Sequence, residues 1–150
     1  DPEEVFSLKP GDSLPGFSVQ DNKGELISNT ILKGKTSVIA FVNTGCPDCR
    51  KELPEIEKAY QQFRDDESIR FIAISRSQGY ESLTDYWIKN AFPLPYSAQE
   101  DDFIFQKFAS QNIPRIYIAS PKGIIVFASD DSYIVTTEII VEQINGIAGK

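Results

Sequence analysis

Histidine is absent from this chain of 150 residues, and cysteine occurs only at Cys46 and Cys49. Without an imidazole, every Cys-His or Ser-His nucleophilic mechanism is excluded. Two thiols and no histidine cannot supply a four-ligand zinc site of thiolate and imidazole within one chain, so no metal is assigned. Apolar runs are short, and none approaches the ~20 residues that span a bilayer, so no membrane contact is expected of this domain itself. Basic charge is in deficit: 15 Lys and Arg against 22 Asp and Glu leave a net charge of −7. Nucleic acid is therefore set aside, because phosphate binding needs clustered cations. Internal repeats and low-complexity segments are also missing. No signal peptide is visible, but the chain starts at Asp1 without an initiator Met, which leaves room for an upstream signal or anchor.

What is present fits an ordinary globular domain, with 41% hydrophobic and 25% charged residues. Residues 1–12 read as a polar lead-in punctuated by Pro2, Pro10 and Gly11, and residues 13–150 as a single domain. "GFSVQDNKGELIS" predicts two strands around a turn at Asp21 to Gly24. "TSVIAFVNT" predicts a central strand buried on both faces. From Pro47 the period becomes helical, with Leu53, Ile56, Tyr60 and Phe63 opposite Lys51, Glu55, Lys58 and Gln62. "IRFIAIS" reads as a second buried strand, "ESLTDYWIKN" as a helix and "AFPLPYSAQED" as a Pro-marked connection. "DFIFQKFASQ" reads as another helix, and "RIYIAS" with "GIIVFAS" as a hairpin. "TTEIIVEQINGIAG" closes the chain as a helix with Ile139, Ile140, Gln143 and Ile147 on one side. A strand–helix–strand unit followed by a hairpin and a helix predicts an α/β fold, a mixed central sheet with helices on both faces.

Both cysteines lie in "TGCPDCRKELP", where a buried strand gives way to an amphipathic helix. Free amides and the macrodipole at a helix start favour a thiolate at Cys46. A disulfide across two residues forms easily only if Cys46 sits at the helix edge, which leaves it the more exposed sulfur and tucks Cys49 into the first turn. So short a ring restrains the unfolded chain little, so it serves poorly as a staple and well as a reversible bridge. Cys-x-x-Cys beside a βαβ pattern is a redox signal. Glu52 follows Cys49 by one helical turn, which leaves two readings open: an acid or base facing that thiol, or a solvated acid of the first turn. Pro54 interrupts its own helix and is expected to kink it. Arg50 and Arg115 are candidates to bring positive charge near the sulfurs. Trp87, Tyr86 and Phe92 read as packing residues.

"GDSLPGFSV", "KGKTSVIAFVNTGCPDCRKELPEIEKAY" and "NIPRIYIASPKGII" together resemble the thioredoxin-like family of TlpA/ResA type, related to AhpC/TSA proteins, from Gly11 onward. The resemblance implies a thioredoxin-like fold with an N-terminal β-hairpin and an inserted αβ segment. It implies a thiol-disulfide oxidoreductase that exchanges a reversible Cys46–Cys49 disulfide with protein thiols and disulfides, working with a redox partner protein and without a cofactor. It further implies an extracytoplasmic bacterial setting, periplasmic or anchored facing it, and a monomer. By the same likeness Glu52 is the acid of "CRKE" that assists the buried sulfur. Pro114 is a cis-proline lying against the cysteine pair, and Ile113 faces substrate. Thioredoxin's buried Asp, six residues before the first cysteine, is replaced by Ala40. Two departures shape the motif. Gly45 stands where the family commonly has Trp, and the inner pair is Pro47-Asp48, with a carboxylate beside the sulfurs that opposes thiolate.

Two other readings compete. A peroxiredoxin-like thiol peroxidase would share the fold. Its Pro-x-x-x-Thr-x-x-Cys pattern fits neither cysteine, since Asn43 stands three before Cys46 and Cys46 three before Cys49. A non-catalytic binding module, with two chains pooling four thiolates around a metal, is the second.

Overall fold

The structure, a computed structural model, describes residues 5–149. The lead-in residues 1–4, with Pro2 among them, and Lys150 lie outside the described residues. Strands β1 (Ser18–Gln20) and β2 (Leu26–Ser28) form the antiparallel N-terminal hairpin, with Val19 opposite Ile27. Its turn is closed by Asp21, whose side chain accepts from the amides of Lys23 and Glu25, with Gly24 at φ 81°. The apolar run Thr36–Val42 is β3, buried at every position. It leads into helix α1 (Pro47–Phe63), followed by β4 (Ile69–Ser75), α2 (Tyr80–Asn90), β5 (Tyr96–Ser97), β6 (Arg115–Ala119), β7 (Ile125–Ala128) and α3 (Thr137–Ala148).

The five-stranded sheet has the order β5-β4-β3-β6-β7. β3 and β4 are parallel, as are β4 and β5, whereas β6 runs antiparallel to both β3 and β7. The sheet is thus mixed. Val38, Ala40 and Val42 point to one face, where Leu53 and Ile56 of α1, Leu83 and Trp87 of α2, and Ile140 and Ile144 of α3 cover them. Full burial of each such Leu or Ile is worth about 1.5–3 kcal/mol against exposure. Ile39 and Phe41 point to the other face and meet Phe17, Ile27 and Leu32 of the hairpin region with Phe105 and Phe108. Phe41 packs against Phe108 at 4.8 Å and edge-on against Phe105 at 5.5 Å between ring centroids.

Three readings of the chain need correction. The helix expected in "DFIFQKFASQ" is only a 3-10 turn, Phe105–Lys107. Its apolar residues fill the second face, but Ala109 then bridges to Ser7 and the turn goes no further. The Pro-marked connection after α2 contains β5, which adds an edge strand through Tyr96 and Ser97. With α2 it supplies the inserted αβ segment. On α3 the buried side is carried by Ile140 and Ile144, while Ile139, Gln143 and Ile147 are only part-buried at its margins. Residues 5–12 run along the sheet's other end, with Leu8 N donating to Phe108 O and Gly11 N to Ile125 O.

Candidate active site

Backbone geometry at the β3–α1 junction places both sulfurs. Cys46 is the N-cap of α1, with extended backbone at φ −92° and ψ 121°, and its sulfur accepts from Cys49 N at 3.4 Å. The cap thus spends a free helix-start amide on the Cys46 sulfur. Pro47 follows at the first helical position, where its missing N–H costs nothing. Cys46 is half-buried, whereas Cys49 is fully buried in the core. Both carry free thiols. Burial pushes the Cys49 thiol far up, with the Asn43 backbone pulling the other way and Cys46 and Glu52 adding smaller pushes.

Gly45 turns tightly over Asn43, donating its amide to Asn43 Oδ1 at 2.8 Å. A Cβ at Gly45 would lie 3.2 Å from that oxygen, so a larger residue there would have to displace the Asn43 amide. Thr44 is fixed from two sides. Its amide donates to Gln78 Oε1 at 2.8 Å, and its carbonyl accepts from Arg50 Nη1 at 2.8 Å.

Glu52 sits one turn beyond Cys49 with no exposure at all. Its Oε1 accepts from Val135 N at 2.7 Å, while Oε2 has no partner. Burial raises its pKa to about 7, opposed by the Val135 amide and assisted by the Asp48 charge. Asp48 itself is half-buried in the first turn. Pro54 lies inside α1, which continues through it to Phe63.

The Ile113–Pro114 peptide is cis, and the Ile113 carbonyl oxygen lies 3.9 Å from Cys46 Sγ. Arg115 does not deliver its charge to the sulfurs. It is buried and turned to backbone, donating from Nη2 to Gln111 O at 2.7 Å and from Nε to Asn112 O at 2.7 Å. It fastens the loop that presents Ile113. Trp87 is buried and donates Nε1–H to Leu94 O at 2.8 Å, with Phe92 edge-on and Tyr96 tilted against it. Among the described residues, no three His, Cys, Asp or Glu side chains cluster to hold a metal.

Cys46 opens onto a groove of about 480 Å³ lined by Asn43, Gly45, Arg76, Ser77 and Ile113. Arg76 and Ser77 escaped the reading of the motif. Their signal was positional, since they follow β4 directly and parallel strands converge on sites at their carboxyl ends.

The AhpC/TSA family model matches residues 10–128. The chain belongs to the AhpC/TSA family. Within it, the sequence is 22% identical over 120 residues to the thiol-disulfide oxidoreductase ResA of Bacillus subtilis, covering 80% of this chain and 66% of that protein. The chain thus spans slightly less than two thirds of that relative's length. It is 26% identical over 128 residues to the thioredoxin-like protein YneN of the same organism, covering 82% of this chain and 72% of that one. Among solved structures, a proposed protein disulfide isomerase from Bacteroides thetaiotaomicron superposes with a TM-score of 0.85 at 25% identity. That superposition covers 97% of this chain and 96% of the other. This AhpC/TSA chain therefore has a thioredoxin-like fold.

Proposed function

We propose that this protein is a thiol-disulfide oxidoreductase acting on protein thiols and disulfides through Cys46 and Cys49. The observation that carries the reading is the asymmetry of the pair. One sulfur is half-exposed at a helix start beside a backbone carbonyl, and its neighbour is buried next to a carboxyl group that titrates near neutrality. The similarity to the thiol-disulfide oxidoreductase ResA and the Cys-x-x-Cys spacing support it.

In the reducing direction, the Cys46 thiolate attacks one sulfur of a substrate disulfide. The substrate S–S bond breaks, a Cys46–substrate disulfide forms, and the first substrate thiolate leaves and takes a proton. Cys49 then loses its proton, for which Glu52 is the nearby acceptor, and attacks Cys46 Sγ. The Cys46–Cys49 disulfide forms as the second substrate thiol departs. Two electrons pass to substrate, and a reduced partner protein must restore the dithiol. Glu52 is the proton-transfer group. Ile113 offers its carbonyl to the substrate chain and Pro114 sets the turn that presents it, while Pro47, Asp48 and Pro54 shape the motif. The domain at residues 13–150 acts as a monomer in an extracytoplasmic compartment, as the TlpA/ResA resemblance implies, and any anchor lies upstream of it. Among the described residues no helix is long and apolar enough to cross a membrane.

Removing the resolving thiol tests the scheme. Cys49→Ser should accumulate reductant-sensitive covalent adducts with disulfide-bearing proteins, and Cys46→Ser far fewer, on non-reducing gels. Adducts through Cys49 alone would reverse the assignment. No adduct from either variant, with stoichiometric zinc in the purified protein, would replace exchange by metal binding.

A further inference from the structure

The wall of the groove beside Cys46 carries a cation that no part of the exchange scheme uses. The Arg76 guanidinium carbon lies 4.5 Å from the centroid of the Phe105 ring. Phe105 is fully buried and held by Phe41, so the platform beneath the guanidinium is rigid. The Arg76 backbone is equally fixed. Its amide donates to Val42 O at 2.8 Å, and its carbonyl accepts from Asn43 Nδ2 at 3.0 Å. Both partners lead into the turn that carries Cys46.

Among the described residues the guanidinium has no anion of its own. The ion pairs among the described residues join Lys9 to Asp12, Lys58 to Glu55, and Arg70 to Glu25. None includes Arg76. The acids of the neighbouring segment are turned elsewhere, since Asp101 Oδ1 accepts from Phe103 N and Asp102 Oδ2 from Gln106 Nε2. A half-buried Arg stacked on an aromatic ring keeps its N–H edges free for a planar carboxylate. In a chain of net charge −7, a pre-set cation lining the groove of the reacting sulfur attracts what the rest of the surface repels.

We infer that Arg76 is a specificity residue: the groove between Cys46, Arg76 and Ile113 selects disulfides flanked by a carboxylate. This rests on the exchange reading above. A substrate strand laid against the Ile113 carbonyl, with its sulfur at Cys46, carries the residue beside its cysteine past Arg76. The carboxylate then belongs to an Asp or Glu next to the reacting cysteine of a protein chain.

Three peptide disulfides, identical except for Glu, Gln or Lys beside the cysteine, test this by single-turnover reduction. The wild type should favour the Glu peptide over the Lys peptide by about tenfold in 20 mM salt, the scale of one charge-assisted contact near a surface. The ratio should fall below about threefold in 0.5 M salt. In Arg76→Gln the low-salt ratio should approach one. A ratio near one in the wild type, or an unchanged ratio in Arg76→Gln, overturns the inference. The wild-type salt dependence stands even if the variant fails to fold, and a preference insensitive to salt overturns the inference as well. Oxidised glutathione separates the carboxylate's source. An Arg76-dependent rate confined to the peptides supports a protein chain, whereas the same dependence with glutathione assigns the carboxylate to a small disulfide. No exchange with any peptide would sink the oxidoreductase reading, whereas exchange without charge preference sinks only this one.

Discussion

Glu52 holds a carboxyl group wholly inside the protein, with one oxygen bonded to Val135 N and the other without a partner. Its folded pKa of about 7 lies above its ordinary value of 4.5, so the fold binds a proton that the unfolded chain releases. Stability from this group is therefore full below about pH 4.5 and declines as the pH rises to about 7, by roughly 3 kcal/mol. In Glu52→Gln the amide oxygen can still accept from Val135, and the titration is gone. Urea unfolding of the reduced protein should show the wild type losing stability between pH 5 and pH 8 while the variant changes far less. Exchange at neutral pH should be slower in the variant by about 10²-fold or more, the usual scale of positioned proton transfer. Equal pH slopes in the two proteins would reduce Glu52 to a bystander. The one-turn spacing from Cys49 made this residue legible in the sequence. Its bond to Val135, 83 positions away, was not legible, because no local pattern records which distant amide reaches a side chain. Arg115, a candidate for charge near the sulfurs or for an exposed side chain, instead turns its guanidinium onto the Gln111 and Asn112 carbonyls.

Helix α1 holds the segment entering α3 with two acids of opposite character. Glu52 meets Val135 in the core, and Glu55, one turn out, accepts from Thr137 N and from Thr137 Oγ1, both at 3.0 Å. Glu55 thus serves the free amides of the α3 start, where negative charge is favoured. Those bonds to Thr137 hold its pKa below the ordinary carboxylate value. The sign is therefore reversed relative to Glu52: the contribution is present above the unfolded pKa and is lost as pH falls through the folded one. Glu55→Ala should cost about 1–2 kcal/mol at pH 7 and much less near pH 3, read from urea midpoints at both values. A cost independent of pH would make the loss one of packing alone. At this scale the long periodic elements were readable, because β3, β4 and α1 bury whole faces whose spacing fixes their type. β5 was not, since two residues directly after Pro93 and Pro95 carry no period. The 3-10 turn was read as a helix because Ile104, Phe105 and Phe108 show helical spacing over a stretch that ends once they are buried.

Over the whole molecule, the parallel strands β3 and β4 bring their carboxyl ends together, and the turns that follow them hold Cys46 and Arg76. Distant segments complete the site: Ile113 ahead of β6 and Val135 ahead of α3 close around α1 from the second half of the chain. This design bears on the direction of electron flow. A dithiol becomes a strong oxidant when its reduced form is stabilised, as in DsbA at about −120 mV, against about −270 mV for thioredoxin. In this protein burial disfavours a thiolate at Cys49, and the excess of negative charge over the chain works in the same sense. Anionic stabilisation of the reduced pair is thus missing at one of its two sulfurs. Equilibration with thiol redox buffers at pH 7 should give a potential closer to thioredoxin's than to DsbA's, marking the domain as a donor of electrons to substrate disulfides. A potential above the ~−180 mV of protein disulfide isomerase would assign it the opposite role, that of an oxidant of protein thiols.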